Sequence, residues 1–420
     1  MRLNQHLLEL LQEIQEIPSS PFLSKPSKEY IISLLTKYNV PFSFNHYSII
    51  ARPVQNPGAT KLVFLTHTDH PGAVLKNNRI GILFGSVGLG RLGKQLPIPM
   101  KVFSPQGKYL GKGEITHIEK SRKIGTKIDF DVPKNSFAQY DFPYLKNTPT
   151  HIKLYNADNG IDTAVMLHLL SKRIESGFDL YFVFNFHEEV HQISAWHLSR
   201  HNPINIGSRD IVINLEAPII ENQKNKFCPP VNYENGPVLE LSNLNMVHGY
   251  KNPGKNLAEV LLKTTAHRYK LDLQIGATKG SDEARAITNF GLTPNIVTLA
   301  IPNRYKHNRG SDGQVVPEEI LKKDVVIFSK LLSKAILFDP KKLNKISTKM
   351  TNLSLQIKKN DCITDKDVQL QKAKLNDRLD VYYKAIIKRG YYFPESLKDS
   401  FQDFALKLLF YFMFLIQKLY

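Results

Sequence analysis

The chain has 420 residues, 42% of them hydrophobic, and carries 56 Lys or Arg against 38 Asp or Glu, a formal net charge of +18. That length can bury a large core and predicts two or three domains. With only Cys228 and Cys362 present, a disulfide-supported secreted fold is excluded, and no apolar run approaches the roughly 20 residues of a membrane span. The start, Met1-Arg2-Leu3-Asn4-Gln5-His6, opens an amphipathic helix with Glu9, Glu13 and Glu16 rather than a signal peptide, so a cytoplasmic, reduced protein is expected.

In chain order, residues 1–70 read as helix, helix, strand, strand. The last strand is the apolar run Leu62-Val63-Phe64-Leu65, which leads through Thr66 into His67-Thr68-Asp69. Residues 74–152 break the pattern. They hold the glycine-rich stretch Gly81 to Gly93 and short runs such as Gly111 to Ile118 and Thr126 to Val132, which predict a small all-β module. Asp158 then stands just before the helix-like segment Thr163 to Leu170. The strand-like run Tyr181 to Phe186 leads into His187-Glu188-Glu189. Ile211 to Leu215 leads into Glu216. Asp282 reads equally as a cap for a helix over Glu283 to Asn289 and as a pocket residue. Ile296 to Ile301 is followed by Tyr305-Lys306-His307, and Pro317 to Leu337 reads as a closing helix, with Pro317-Glu318-Glu319 as its first turn.

Five times, then, a group able to bind metal sits at the end of a core element. In open α/β sheets, sites form outside the carboxyl ends of the strands. Two imidazoles and three carboxylates suit zinc, and also cobalt or manganese. A carboxylate can bridge two ions, and two ions about 3.5–4 Å apart can share one hydroxide and polarise a carbonyl. Glu188, next to the candidate ligand Glu189, is placed to take the proton.

These segments resemble a known family. His67-x-Asp69, Ala157-Asp158-Asn159, Glu188-Glu189-Val190 and Arg304-Tyr305-Lys306-His307 are similar to the motifs of the dinuclear zinc aminopeptidases, nearest the tetrahedral aminopeptidase and glutamyl aminopeptidase family. Gly280-Ser281-Asp282 is similar to a Gly-Thr-Asp segment there. The resemblance spans roughly residues 1–338. It implies an α/β fold with a central mixed sheet flanked by helices, and a small β domain that serves subunit assembly. It implies that His67, Asp158 and Glu216 hold one metal, that Asp158 bridges to a second held by Glu189 and His307, that Glu188 is the general base, and that Asp69 orients His67. The expected division is 1–73 and 153–338 for the catalytic domain, 74–152 for the inserted β domain and 339–420 for a basic, helical C-terminal extension. The expected activity is removal of N-terminal residues from peptides.

The sequence departs from that family in places. Glu216 stands where Asp is usual, His70-Pro71 replaces an acidic-aliphatic pair, Gly160 replaces an arginine, and Val190-His191-Gln192-Ile193 replaces a glycine-containing stretch. Two alternatives follow: a catalytically impaired metal-binding scaffold, or a single-zinc protease. For the second, His187-Glu188-Glu189-Val190-His191 matches H-E-x-x-H, which needs both histidines on one helical face. A strand running straight into the motif argues against it. Taken singly, each candidate also has an ordinary reading. Asp158 could complement a helix dipole, Asp69 could accept in an Asx turn, Glu188-Glu189 could be a solvated turn, and His307 could belong to a basic surface loop.

Residues 340–420 carry sixteen Lys or Arg against eight Asp or Glu. Leu408 to Ile416 is intensely apolar but too short to span a bilayer. It reads as a helix packed on the body or on another subunit, with peripheral membrane contact as the sharper alternative. No nucleic-acid motif is present, so peptide substrates and other copies of the chain are the expected partners.

Overall fold

The first helix begins where its sequence has a cap. Asn4 accepts hydrogen bonds from the backbone N–H groups of His6 and Leu7, and α1 (Gln5–Glu16) buries Leu7, Leu10, Leu11 and Ile14 at helical spacing. Pro26 lies in the first turn of α2 (Lys25–Lys37), where a missing N–H costs nothing. The structure, a computed structural model, describes residues 3–85, 96–119, 121–143, 145–219, 231–240, 256–276, 282–310 and 313–354. All of them belong to the unit Met1–Cys362. The remaining unit, Ile363–Tyr420, lies outside them.

An eight-stranded sheet forms the centre. Its strands are β1 (Phe42–Phe44), β2 (Ser48–Val54), β3 (Lys61–His67), β12 (Asp179–Asn185), β13 (Ile211–Glu216), β14 (Val238–Glu240), β15 (Gln274–Gly276) and β16 (Ile296–Ala300), in the order β1-β2-β12-β3-β13-β16-β14-β15. The four middle strands, β12, β3, β13 and β16, are mutually parallel. They are buried almost throughout, which is why they read as continuous apolar runs rather than alternating ones. Alternate residues face opposite cores. Leu62, Phe64, Phe182 and Ile213 join the larger core with α1, α2, α3 (Gly160–Leu170), α5 (Leu257–Tyr269) and α7 (Lys322–Ile336). Val63, Leu65, Val183 and Val212 pack with residues of α4 (Ile193–His201) and α6 (Ala284–Asn289) on the other face.

Between β3 and α3 the chain makes two smaller sheets. β4 (Gly72–Leu75), β5 (Ile80–Phe84), β6 (Ile98–Phe103), β7 (Tyr109–Ile118), β8 (Lys123–Lys127) and β9 (Ser136–Tyr140) close into a barrel with its own core of Leu75, Leu83, Met100, Val102 and Ile124. β10 (Leu145–Asn147) and β11 (His151–Leu154) pair antiparallel with each other, and β11 pairs antiparallel with β17 (Glu318–Leu321). The last described helix, α8 (Pro340–Ser354), sends Leu343 into the larger core.

Three expectations change. The helix expected from Pro317 to Leu337 is a strand over Glu318–Leu321 followed by a helix from Lys322 to Ile336. Backbone pairing with β11 outweighs the Pro-Glu-Glu helix-start signal, which is a local preference worth less than a tertiary contact. The run Thr126 to Val132 is a strand only as far as Lys127. The first seventy residues hold three strands, the additional one being the short Phe42–Phe44. Most of the glycine-rich stretch, Gly280-Ser281 and the apolar tail lie outside the described residues.

Candidate metal centre

Parallel strands bring their carboxyl ends to one edge, and the ligand candidates arrive there. His67 is the last residue of β3 and pairs with Asn185, the last of β12. Glu216 closes β13 opposite Ala300 of β16. Glu188 and Glu189 follow β12 by three and four residues. His307 lies in the turn Lys306–Asn308 after β16. Asp158 comes from the loop between β11 and α3.

The side chains converge in two groups that share Asp158. His67, Asp158 and Glu216 form one, and Asp158, Glu189 and His307 form the other. Within each, one ligand atom per residue lies within 4.8 Å of the others. His67 Nε2 is 3.5 Å from Asp158 Oδ1 and 3.5 Å from Glu216 Oε2. These three buried atoms make no hydrogen bond. Buried polar atoms normally find a partner, so three of them aimed at a common point fit a cation. His307 Nε2 is 3.0 Å from Asp158 Oδ2 and 2.8 Å from Glu189 Oε1.

The charges are tightly balanced. Burial alone would lower the His307 pKa, but the Glu189 charge and the carboxylates of Asp158 and Glu189, which accept from the ring, push it up to about 10. His67 is likewise held well above its usual value, against burial, by Asp158, Asp69 and Glu216. Burial would raise Asp158, yet the charges of Lys306, His307 and His67 hold it well below the usual carboxylate range.

The surrounding backbone is locked by carboxylates. Asp69 Oδ1 accepts from the Glu188 N–H at 2.9 Å and Asp69 Oδ2 from the Glu189 N–H at 3.1 Å. It therefore fixes the turn that carries both glutamates. Toward His67, the nearest contact from Asp69 is its backbone carbonyl, 3.1 Å from Nδ1, with the carboxylate at 3.7 Å. Glu318 Oε2 accepts from the N–H groups of Ala157 (2.6 Å) and Asp158 (3.0 Å), and its other oxygen accepts from the His307 N–H. His70 reaches the Asp158 carbonyl (2.7 Å) and Asn308 Oδ1 (3.0 Å). His187, His191 and His307 adopt left-handed backbone angles, with φ of 68°, 76° and 59°. Such angles cost a non-glycine residue free energy and persist where surrounding contacts enforce them.

The H-E-x-x-H alternative fails on geometry. Residues 187 and 188 are irregular, residues 189–191 form a turn, and helix α4 starts only at Ile193. His187 stacks with His46, ring centroids 5.7 Å apart, and belongs to neither ligand group. Asp282 turns to Thr298, whose hydroxyl donates to its carboxylate, and the Glu283 position makes no side-chain cap. Sequence reasoning missed two residues at this centre. Glu318 was hidden by the helix-start reading of Pro317-Glu318-Glu319. Lys306 was read only as part of a motif, yet its Nζ lies 2.9 Å from Asp158 Oδ2 and donates to Glu216 Oε1. A lysine directly before a candidate ligand histidine was the available signal.

Comparisons with known proteins give a partial family match and a shared fold. The sequence model of the M42 glutamyl aminopeptidase family matches residues 129–312. A search of the curated proteins by sequence finds no match. Among solved structures, the TET aminopeptidase of a marine sediment Thaumarchaeota archaeon is 16% identical, with a TM-score of 0.66, covering 81% of this chain and 99% of that one. An aminopeptidase of the archaeon Desulfurococcus kamchatkensis is 16% identical with a TM-score of 0.65, covering 81% and 97%. The Pyrococcus horikoshii TET1 peptidase, described as assembling into a tetrahedron or a large octahedral shell, is 16% identical with a TM-score of 0.61, covering 79% and 99%. At such identity the structures speak for the fold alone, and the family match, over less than half of the chain, makes residues 129–312 similar to the M42 glutamyl aminopeptidases.

Proposed function

We propose that the chain is a metal-dependent aminopeptidase with two positions for a divalent ion, one formed by His67, Asp158 and Glu216 and the other by Asp158, Glu189 and His307. The observation that supports this most is the convergence of two ligand groups on one shared carboxylate at the carboxyl edge of the sheet. Zinc suits the donor set, with cobalt or manganese as alternatives. Ions bound there would make water acidic enough to attack at neutral pH and would polarise the scissile carbonyl. Glu188 handles the proton. Its Oε2 lies 4.0 Å from His67 Nε2, yet it belongs to neither ligand group. Burial pushes its carboxyl well above the usual carboxylate range, His67 opposes that, and Glu189 and Glu216 add to it. A carboxylate raised toward neutrality can accept a proton from attacking water and return it to the leaving amine. Asp69 keeps Glu188 in place by holding its backbone N–H.

The similar structures include one described as a dodecamer and one as a tetrahedron. We take a homo-oligomer as the working state of this chain too. The test of function is release of nitroaniline from aminoacyl-nitroanilides. Stripping metal with a chelator should abolish release, zinc should restore it, and N-acetylated analogues should not be cut. Metal uptake with no release from any aminoacyl substrate would favour the impaired scaffold. Failure to take up any divalent ion would end the metal reading.

A further inference from the structure

Lys306 is the residue at this centre that no ligand role explains. It stands immediately before His307, and its side chain is mostly buried. Its ammonium touches two of the three residues that form the first group: it lies 2.9 Å from Asp158 Oδ2 and donates to Glu216 Oε1. It shares only Asp158 with the second group.

We propose that Lys306 is a resident cation competing with metal for Asp158 and Glu216, so that the chain holds one divalent ion tightly, at Asp158, Glu189 and His307, and a second one only weakly. This rests on the metal reading above and changes its stoichiometry. Asp158, Glu188, Glu189 and Glu216 gather four carboxylates here, and the Lys306 ammonium already offsets part of the charge that a dication between His67, Asp158 and Glu216 would draw on. A dication placed between His67, Asp158 and Glu216 would also face the ammonium across the same two carboxylates, where charges about 4 Å apart interact strongly even at a high effective protein dielectric. Lys306 can leave only by giving up both carboxylate contacts.

Metal binding by the full chain, measured without substrate, tests this. Chelator-stripped protein is titrated with cobalt(II) or zinc and followed by calorimetry, and metal content is read after desalting. Wild type should retain one ion per chain, with any second ion bound at least about 100-fold more weakly, a lower bound on the repulsion between a dication and an ammonium about 4 Å apart at the effective dielectric of a protein. Lys306→Met removes the charge at similar length and should bring retention to two. Lys306→Arg, which keeps the charge, should stay at one. His307→Ala should lose the tight ion while Glu216→Gln keeps it. Circular dichroism confirms that each variant is folded. Two ions of similar affinity in wild type, or a single ion in Lys306→Met, would overturn the proposal and leave the metallo-aminopeptidase reading standing. No ion in any variant would overturn both.

Discussion

Glu188 and Glu189 are chain neighbours held by the same Asp69 carboxylate, yet their loss should be felt differently. Glu188→Gln should keep metal content and lower kcat by about 10²–10⁴, the usual contribution of acid–base catalysis. Glu189→Gln should instead lower metal content. Equal metal content and equal rates in the two variants would contradict the separate roles. A second residue-scale prediction lies away from the centre. His168 is buried beside His6, with their Nδ1 atoms 3.2 Å apart. Burial, then the charges of Lys172 and His6, hold its pKa down to about 4. In the unfolded chain it returns to about 6.5, so between these values the unfolded state binds more protons. Its contribution to stability is complete above the upper value and is lost as pH falls through the lower one. Urea midpoints measured with chelator present should drop from pH 7 to pH 5, and His168→Gln should flatten part of that drop. An identical drop in the variant would rule the residue out. At this scale the sequence was legible wherever a polar group ended an apolar run, as at His67 and Glu216. It was silent on Lys306, because a lysine in a loop looks the same whether it reaches water or a carboxylate pair.

Whole elements were legible for one reason. β3, β12 and β13 are buried on both faces, so each appears as a short, mostly apolar run that its length and its β-branched and aromatic residues separate from a buried helix such as α3. Removing one such side chain should cost accordingly. Phe182→Ala, in the middle of β12 and fully buried, should lower stability by about 3–5 kcal/mol in denaturant unfolding. A loss under 1 kcal/mol would mean the two-sided core is misread. β17 was not legible, because its four residues are strand only through pairing with β11, more than 150 positions earlier. Its functional weight lies in Glu318, which accepts from three backbone N–H groups around Asp158 and His307. Glu318→Gln keeps the shape but turns one oxygen into a donor facing donors. Metal affinity should fall by about 10–100-fold, as for other groups that orient ligands from behind. Unchanged affinity would assign Glu318 to folding alone.

At the scale of the whole molecule, the central sheet and the barrel each have a core of their own. The change of periodicity after His67 falls just before the first barrel strand, whereas the pairing of β10, β11 and β17 leaves no such signal in the sequence. The C-terminal side is bounded more finely than composition alone allowed. Leu343 of α8 is part of the larger core, so a cut at Phe338 would damage the body. A cut after Ser354 leaves α8 intact and removes only residues 355–420, including the apolar run Leu408 to Ile416. That truncation should keep metal binding and change the molar mass in light scattering on a sizing column. Unchanged mass, with anionic vesicles bound by the full chain alone, would assign the tail to a membrane surface instead.

Glu318 also sets an order of events. All proposed ligands lie between His67 and His307, so a ribosome-bound chain has every one of them before β17 is made. Translation adds about 5–20 residues per second. Until Glu318 emerges and β17 zips onto β11, the N–H groups of Ala157, Asp158 and His307 lack their acceptor. Each such group, if buried, costs about 1–3 kcal/mol. The nascent chain is thus a complete set of parts without a clasp. The candidate site would therefore be completed only when the body around it is nearly finished.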